Sequence, residues 1–192
     1  MKRYKSYDLG KIYKSSSTVF TIKDLTLLWG VNQPNLVWAR VNDYVRRGKL
    51  YRIKRGIYAK DENYDKFELA TKIYTPSYIS LETVLAKEGV IFQYYETIFV
   101  ISYLTRALQA DRYKIRFRKI KNEILINSEG IRQEKNYFIA TKERAFLDAV
   151  YLYKNYYFDN LDAIDKNKVF ELAKIYRNKK LIERVKKYFD TL

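Results

Sequence analysis

The chain has 192 residues and contains no cysteine and no histidine. That excludes disulfides, thiolate and imidazole metal sites, and every nucleophile that relies on a histidine base. No apolar run approaches the ~18 residues of a membrane-spanning helix, so no membrane partner is expected. The N-terminal Met1-Lys2-Arg3-Tyr4-Lys5 is basic but has no apolar segment behind it, so no signal peptide is expected and the cytoplasm is the expected location. Glycine is scarce: Gly10, Gly30, Gly48, Gly56, Gly89 and Gly130 lie too far apart to cradle a phosphate, and no Gly-Lys-Ser/Thr occurs. Asp159, Asp162 and Asp165 lack the alternating spacing of a calcium loop and read as helix-capping and solvated acids. No Asp or Glu is followed two residues later by Lys, so the acid-x-Lys end of a common nuclease motif is missing. Catalysis is therefore not expected, and neither are catalytic residues, a cofactor or a metal.

Acidic residues are also few near the start. Residues 1–60 hold 14 Lys and Arg against 3 Asp and Glu, net +11, while residues 61–192 hold 24 against 19, net +5. A basic module ahead of a nearly balanced one suggests a polyanion-binding head. AT-rich coding DNA could inflate lysine throughout, but it does not explain acids that are scarce only before residue 61.

The pattern along the chain gives the architecture. Residues 4–14 can form a helix with Tyr4, Leu9, Ile12 and Tyr13 as apolar members. Thr21 with Asp24 reads as a capping box for a short helix that Gly30 stops. Val31-Asn32-Gln33-Pro34 is a tight connector, and Pro34 suits the first turn of the next helix. Val37, Val41, Tyr44 and Val45 give that helix one apolar stripe, and Gly48 ends it. Residues 50–53 and 57–59 read as strands joined at Lys54-Arg55-Gly56. Helix, short helix, tight turn, longer helix and basic hairpin make a winged helix-turn-helix over residues 1–60.

Residues 61–192 read as a second, α+β domain with a small antiparallel sheet and C-terminal helices. A charged helix is expected near 62–74, and Ser80 is expected to cap a helix over 81–87. Strands are expected at 78–80, 97–103, 113–119, 123–126 and 137–140, with a turn at 127–130. Thr141 is expected to cap a helix, and two more follow at 166–177 and 179–190.

Three stretches together resemble a known family. The first is the helix-turn-helix start leading into Gly56-Ile57-Tyr58-Ala59. The second is Pro76-Ser77-Tyr78-Ile79-Ser80-Leu81-Glu82-Thr83-Val84-Leu85 with Gly89-Val90-Ile91 behind it. The third is Ile139-Ala140-Thr141-Lys142-Glu143-Arg144-Ala145-Phe146-Leu147-Asp148. In this order they resemble the AbiEi antitoxins of type IV toxin–antitoxin (abortive infection) systems over about residues 20–190. Lys142 departs from the family, which often has proline before the Glu-Arg pair. The resemblance implies a transcriptional repressor that binds inverted repeats in its own promoter as double-stranded DNA. It also implies antitoxicity against a nucleotidyltransferase-like toxin, without a stable complex, and hence a part in phage defence.

Specific residues follow from the helix-turn-helix reading. The apolar stripe leaves Asn35, Ala39, Asn42 and Arg46 on the opposite side of the longer helix. Asn32, Gln33 and Asn35, at its start, are the first base-reading candidates, because amides pair bidentately with adenine; Asn32 and Gln33 also read as plain turn residues. Arg40, Arg46 and Arg47 read as phosphate contacts or as an ordinary solvated face. Arg52, Lys54 and Arg55 at the hairpin would hold the backbone or reach the minor groove. Lys114, Arg116 and Arg118 form one side of an alternating strand, either its wet face or a second anionic contact. Trp29 and Trp38 read as packing residues. The twenty tyrosines, spread along the chain, read as core and rim packing rather than as base-stacking platforms. Arg144 and Asp148, four apart, read as a structural ion pair, although their place in the stretch that resembles the family also allows a role in antitoxicity. Two other readings remain at this level: a stand-alone winged-helix regulator whose C-terminal domain senses a ligand or dimerises, and a protein- or RNA-binding adaptor.

Overall fold

The computed structural model describes residues 7–31 and 33–190, with the backbone alone at Tyr7. The chain divides into two compact units, Met1–Ile73 and Tyr74–Leu192. It is an α+β protein with two sheets. Among the described residues, no helix is long and apolar enough to cross a membrane.

The first unit runs α1 (Tyr7–Lys14), β1 (Val19–Thr21), α2 (Ile22–Trp29), α3 (Pro34–Arg46), β2 (Tyr51–Lys54), β3 (Ile57–Ala59) and α4 (Lys66–Ile73). Tyr4, expected on the first helix, lies outside the described residues, and Tyr13 is exposed rather than packed. Thr21 and Asp24 form the capping box: each side chain accepts from the other's backbone N–H, at 3.1 and 2.9 Å. Gly30 closes α2 with φ +65°, a left-handed conformation that glycine adopts without strain. The N–H groups of Gly30 and Val31 then return to Leu27 and Thr26. Val37, Val41 and Tyr44 turn inward against Ile12, Phe20, Leu25, Trp29, Leu50 and Tyr58. The three strands are antiparallel in the order β1-β3-β2, and Gly56, at φ +85°, makes the turn between β2 and β3.

Helix α4 belongs to this first unit. Buried Glu68 accepts from the backbone N–H and hydroxyl of Thr18 at 2.8 and 2.7 Å, and Lys72 pairs with Asp24 and Glu68, both at 3.2 Å. The change in composition at residue 61 is therefore not where the compact unit ends: the acids of 61–73 lie within it. Over residues 1–73 there are 16 basic and 7 acidic residues, net +9, against 22 and 15, net +7, over 74–192. The excess of positive charge is shared more evenly between the units than the cut at residue 60 implies, though it remains denser in the first.

The second unit runs β4 (Ser77–Ile79), α5 (Glu82–Lys87), β5 (Ile98–Ser102), β6 (Arg106–Ala110), β7 (Tyr113–Lys119), α6 (Asn122–Leu125), β8 (Ile131–Glu134), β9 (Tyr137–Ala140), α7 (Lys142–Leu152), α8 (Lys166–Ala173) and α9 (Lys179–Asp190). Its sheet is neither small nor antiparallel throughout. Six strands lie in the order β6-β7-β5-β4-β9-β8, and the pairs β5–β7 and β4–β9 are parallel. The two edge strands, β6 and β8, have largely exposed side chains and no hydrophobic alternation. Pairing with β7 and β9 across tight hairpins defines them instead. Those hairpins return β7 and β9 to the sheet parallel to β5 and β4.

Residues 123–126, expected as a strand, fall on helix α6 and its C-cap, Ile126. Ile124 and Leu125 are both buried while Ile126 is exposed; adjacent inward side chains suit a helical turn, whereas a half-buried strand alternates. Thr141 caps α7 as expected, accepting from the N–H of Arg144. Ser80 does not cap α5: Leu81 precedes that helix with φ +54°, and the Ser80 hydroxyl turns elsewhere. A 3-10 turn at Lys174–Tyr176 follows α8, and α9 buries Leu181, Val185 and Phe189.

Candidate nucleic-acid interface

Helix α3 and the β2–β3 hairpin hold most of the sequence-level candidates. Proline at the first turn needs no N–H partner, and Gln33, in the capping position, does not use its side chain to cap. The Gln33 amide is therefore left outside the helix and exposed. Asn35 and Asn42 lie on the exposed side of α3 with Ala39 and Arg46, opposite buried Val37 and Val41. The side chains of Gln33, Asn35 and Asn42 have no hydrogen-bond partner among the described residues. Asn32 lies outside the described residues.

The cations divide into three groups. Arg52, Lys54 and Arg55 on the hairpin are exposed, and their side chains have no ion pair among the described residues. Trp38 of α3 reaches the same hairpin: a Cβ at Gly56 would lie 3.9 Å from its ring. Arg46 and Arg47 share the buried carboxylate of Asp43, with closest approaches of 2.7 and 3.0 Å, yet both side chains remain largely exposed. Arg40 stands apart from these. Its guanidinium donates to Asp8 at 3.0 Å and lies over the Trp29 ring, whose indole N–H donates to the Asp8 carbonyl, also at 3.0 Å. Arg40 thus joins α1 to α3 rather than standing among the exposed cations. Trp29 is buried and Trp38 packs on the core.

In the second unit, Lys114, Arg116 and Arg118 share one face of β7, as the alternation predicts, but they are not equally wet. Lys114 pairs with Glu96 at 3.3 Å and Arg116 lies over the Phe99 ring. Arg118 is half-buried: its guanidinium lies over the Tyr153 ring, 4.8 Å from the centroid, and donates to the Tyr153 hydroxyl at 3.1 Å. That hydroxyl donates to buried Glu82 at 3.0 Å. Burial pushes the Glu82 carboxyl up, against the opposing pull of its own backbone N–H, Tyr153, Arg118 and Arg116. Burial and the nearby Glu82 charge push the Tyr153 phenol up as well.

The second and third stretches behind the family resemblance meet inside this unit. Arg144 and Asp148 are fully buried, with Nε to Oδ1 at 3.6 Å. Asp148 accepts from the hydroxyls of Tyr78 at 3.1 Å, Ser80 at 2.7 Å and Tyr176 at 2.6 Å. Arg144 donates to the carbonyls of Glu129 and Ile124, both at 2.7 Å. Desolvation pushes the Asp148 carboxyl up, while Arg144 and the three hydroxyl donors oppose it. The four-residue spacing of Arg144 and Asp148 signals the pair; no sequence signal joins Tyr78, Ser80 and Tyr176 to it. Its burial makes it an architectural group rather than a surface for a ligand.

Among the described residues, no group of three or more acidic side chains is placed to hold a metal ion. No family model matches the chain, and no curated protein shows significant similarity to it.

Proposed function

We propose that the first unit is a winged helix-turn-helix that binds double-stranded DNA at inverted repeats in its own promoter, and that the protein is a transcriptional repressor. One observation carries this reading: on the exposed side of α3 and on the hairpin that its Trp38 reaches, the amides have no hydrogen-bond partner and the three hairpin cations no acid partner among the described residues. The element order and the β1-β3-β2 sheet support it, with α3 as the recognition helix and β2–β3 as the wing. Gln33, Asn35 and Asn42 read base edges. Arg46, Arg47, Arg52, Lys54 and Arg55 hold phosphates. Arg40 supports the recognition helix from behind. Such a repressor works in the cytoplasm, where its promoter is.

Five phosphate contacts give a log–log salt slope of about −4.5 per protomer, which weakens binding by several hundredfold between about 50 and about 200 mM salt. Gel shifts on the promoter repeats across that range test this; salt-insensitive or absent binding refutes it. Arg55→Glu is expected to abolish repression while leaving the fold intact, because the side chain is exposed at the turn. Surviving repression would exclude the wing from the interface.

The second half of the proposal is antitoxicity against a nucleotidyltransferase-like toxin, in a type IV system of the AbiEi kind. It is supported by the resemblance of the 76–91 and 139–148 stretches and by the cluster in which Tyr78 and Ser80 meet Arg144 and Asp148. Co-expression with the toxin encoded beside it tests this: growth is restored if the reading is right. Growth that stays arrested leaves a stand-alone winged-helix regulator.

A further inference from the structure

Three large aromatic side chains stand in water on two neighbouring loops of the second unit. Phe92 is 73% exposed, Tyr94 84% and Tyr157 80%. Aromatics of this size are ordinarily half-buried or more, and several together mark an interaction surface. The two loops are tied to each other: the Phe92 N–H donates to Asp159 at 2.9 Å, and Asp159 and Asn160 both donate from their backbone to the Val90 carbonyl at 3.1 Å.

Cations contact residues that flank these three rings along the chain. Lys114 pairs with Glu96 of the first loop. Arg116 lies over Phe99, which meets Tyr95 edge-on, with ring centroids 5.6 Å apart. Tyr156 stacks on Tyr153 at 5.3 Å, and Arg118 lies over Tyr153. Arg184 donates to the Tyr153 carbonyl at 3.1 Å, continuing the positive track into a groove of about 580 Å³ between α7 and α9 that Lys154 and Lys180 also line.

From this arrangement we infer that the second unit binds single-stranded RNA, with unpaired bases stacked on Phe92, Tyr94 and Tyr157 and the phosphodiester chain following Arg116, Arg118 and Arg184. The chemistry selects the partner. Duplex DNA hides its base faces, so exposed rings gain nothing from it, and an acidic peptide meets the cations without a planar group for each ring. An anionic lipid interface takes up rings beside cations, so binding to phosphatidylserine vesicles in place of oligo(U) would overturn the inference. Unpaired bases present a π-face to each ring and a phosphate to each cation. RNA is favoured over single-stranded DNA because the hydroxyls of Tyr94 and Tyr157 have no partner among the described residues. A phenol at the rim of a stack can pair with a 2′-hydroxyl, which only RNA carries. These residues belong to the second unit and α3 and the β2–β3 hairpin to the first, so this inference does not depend on the promoter-binding proposal.

The test is fluorescence anisotropy of the full chain with labelled oligo(U), oligo(dT) of equal length, a duplex lacking the promoter repeats, and the promoter duplex. Oligo(U) is expected to bind more tightly than oligo(dT) and the unrelated duplex. Tyr94→Ala with Tyr157→Ala is expected to weaken oligo(U) at least tenfold and to leave the promoter duplex unaffected. Tyr94→Phe with Tyr157→Phe keeps the rings, so it is expected to preserve oligo(dT) binding while erasing the preference for oligo(U). Unchanged oligo(U) binding in the alanine variant overturns the inference. Equal affinity for oligo(dT) or for the unrelated duplex does so too, as does loss of oligo(U) binding in Arg55→Glu, which would assign it to the wing. Loss of promoter binding alone, with oligo(U) binding kept, counts against the repressor reading only.

Discussion

Replacing Asp148 by alanine is the sharpest test of how the second unit is held together. Asp148 is fully buried and, among the described residues, is the only carboxylate paired with the buried Arg144 guanidinium, 3.6 Å away. Removing one partner of a buried pair leaves an uncompensated charge, at about 3–5 kcal/mol. Three hydroxyls, from Tyr78, Ser80 and Tyr176, lose their acceptor at the same time. Each such loss costs about 1 kcal/mol, but the four share one site and do not add fully, so the total is about 5 kcal/mol. Domains have about 5–15 kcal/mol in all, so Asp148→Ala leaves this unit near the limit of folding. With a urea m-value of about 2 kcal/mol/M, its midpoint falls by about 2.5 M. The units can be read separately: Trp29 and Trp38, the only tryptophans, lie in the first, so tryptophan fluorescence follows that unit alone, and a transition in tyrosine dichroism that the fluorescence does not follow belongs to the second. Arg144→Met combined with Asp148→Ala removes the orphaned charge and recovers at least about 2 kcal/mol relative to the sum of the single changes. A single-variant cost under about 1 kcal/mol, or strict additivity in the double, would refute the reasoning.

Glu82→Gln keeps an acceptor for the Tyr153 hydroxyl but removes a carboxylate that burial disfavours. The folded pKa is raised above the ordinary 4.5, so the protonated carboxyl contributes stability that is fully present below 4.5 and lost as pH rises through the folded value. The variant's melting temperature should therefore overtake that of the parent as pH rises towards neutrality; parallel pH profiles would contradict this. Gly130→Ala should cost about 2 kcal/mol or more on thermal melting, because φ is +71° and the new Cβ would lie 2.9 Å from that of Arg144; a neutral result would mean that the loop relaxes. Arg40→Ala should lower stability by about 1 kcal/mol through loss of the Asp8 pair, with operator affinity almost unchanged, in contrast to Arg55→Glu; titrations of both variants on the same promoter duplex separate the two roles.

What the sequence reveals and what it hides follow from the range of each interaction. The capping box at Thr21 and Asp24, the glycine stop at Gly30 and the stripe Val37–Val41–Tyr44 are local, and all three are legible as residue spacing. The alternation of β7 is equally legible, because a strand with one wet face repeats every second residue. Edge strands β6 and β8 lack that repeat; their hydrogen bonds to β7 and β9 define them, and backbone pairing leaves no mark on side-chain pattern. The α4 boundary was hidden for a related reason. Glu68 and Lys72 look like solvated charges in a helical pattern, and only the fold brings Thr18 and Asp24 to them. On α3, the outward positions of Asn35, Asn42 and Arg46 were readable from periodicity, whereas the tie between Arg40 and Asp8, thirty-two residues apart, was not.

The basic face of the first unit is set less by how many cations it carries than by where its acids go. Before residue 61 there are only Asp8, Asp24 and Asp43, and each has a structural partner. Asp8 joins Arg40 to α1, Asp24 closes the start of α2 and meets Lys72 of α4, and Asp43 lies under Arg46 and Arg47. None is placed against Arg52, Lys54 or Arg55. These acids fix helices and meet their partners there, whereas the hairpin turn meets the Trp38 ring at Gly56, an apolar contact that calls for no acid. Among the described residues, the three hairpin cations therefore have no acid partner, and the amides on the exposed side of α3 have no hydrogen-bond partner. Adding lysines elsewhere on the unit would raise the net charge without reproducing this arrangement, whereas a single acid introduced at Arg55 reverses the charge at an exposed position of the turn.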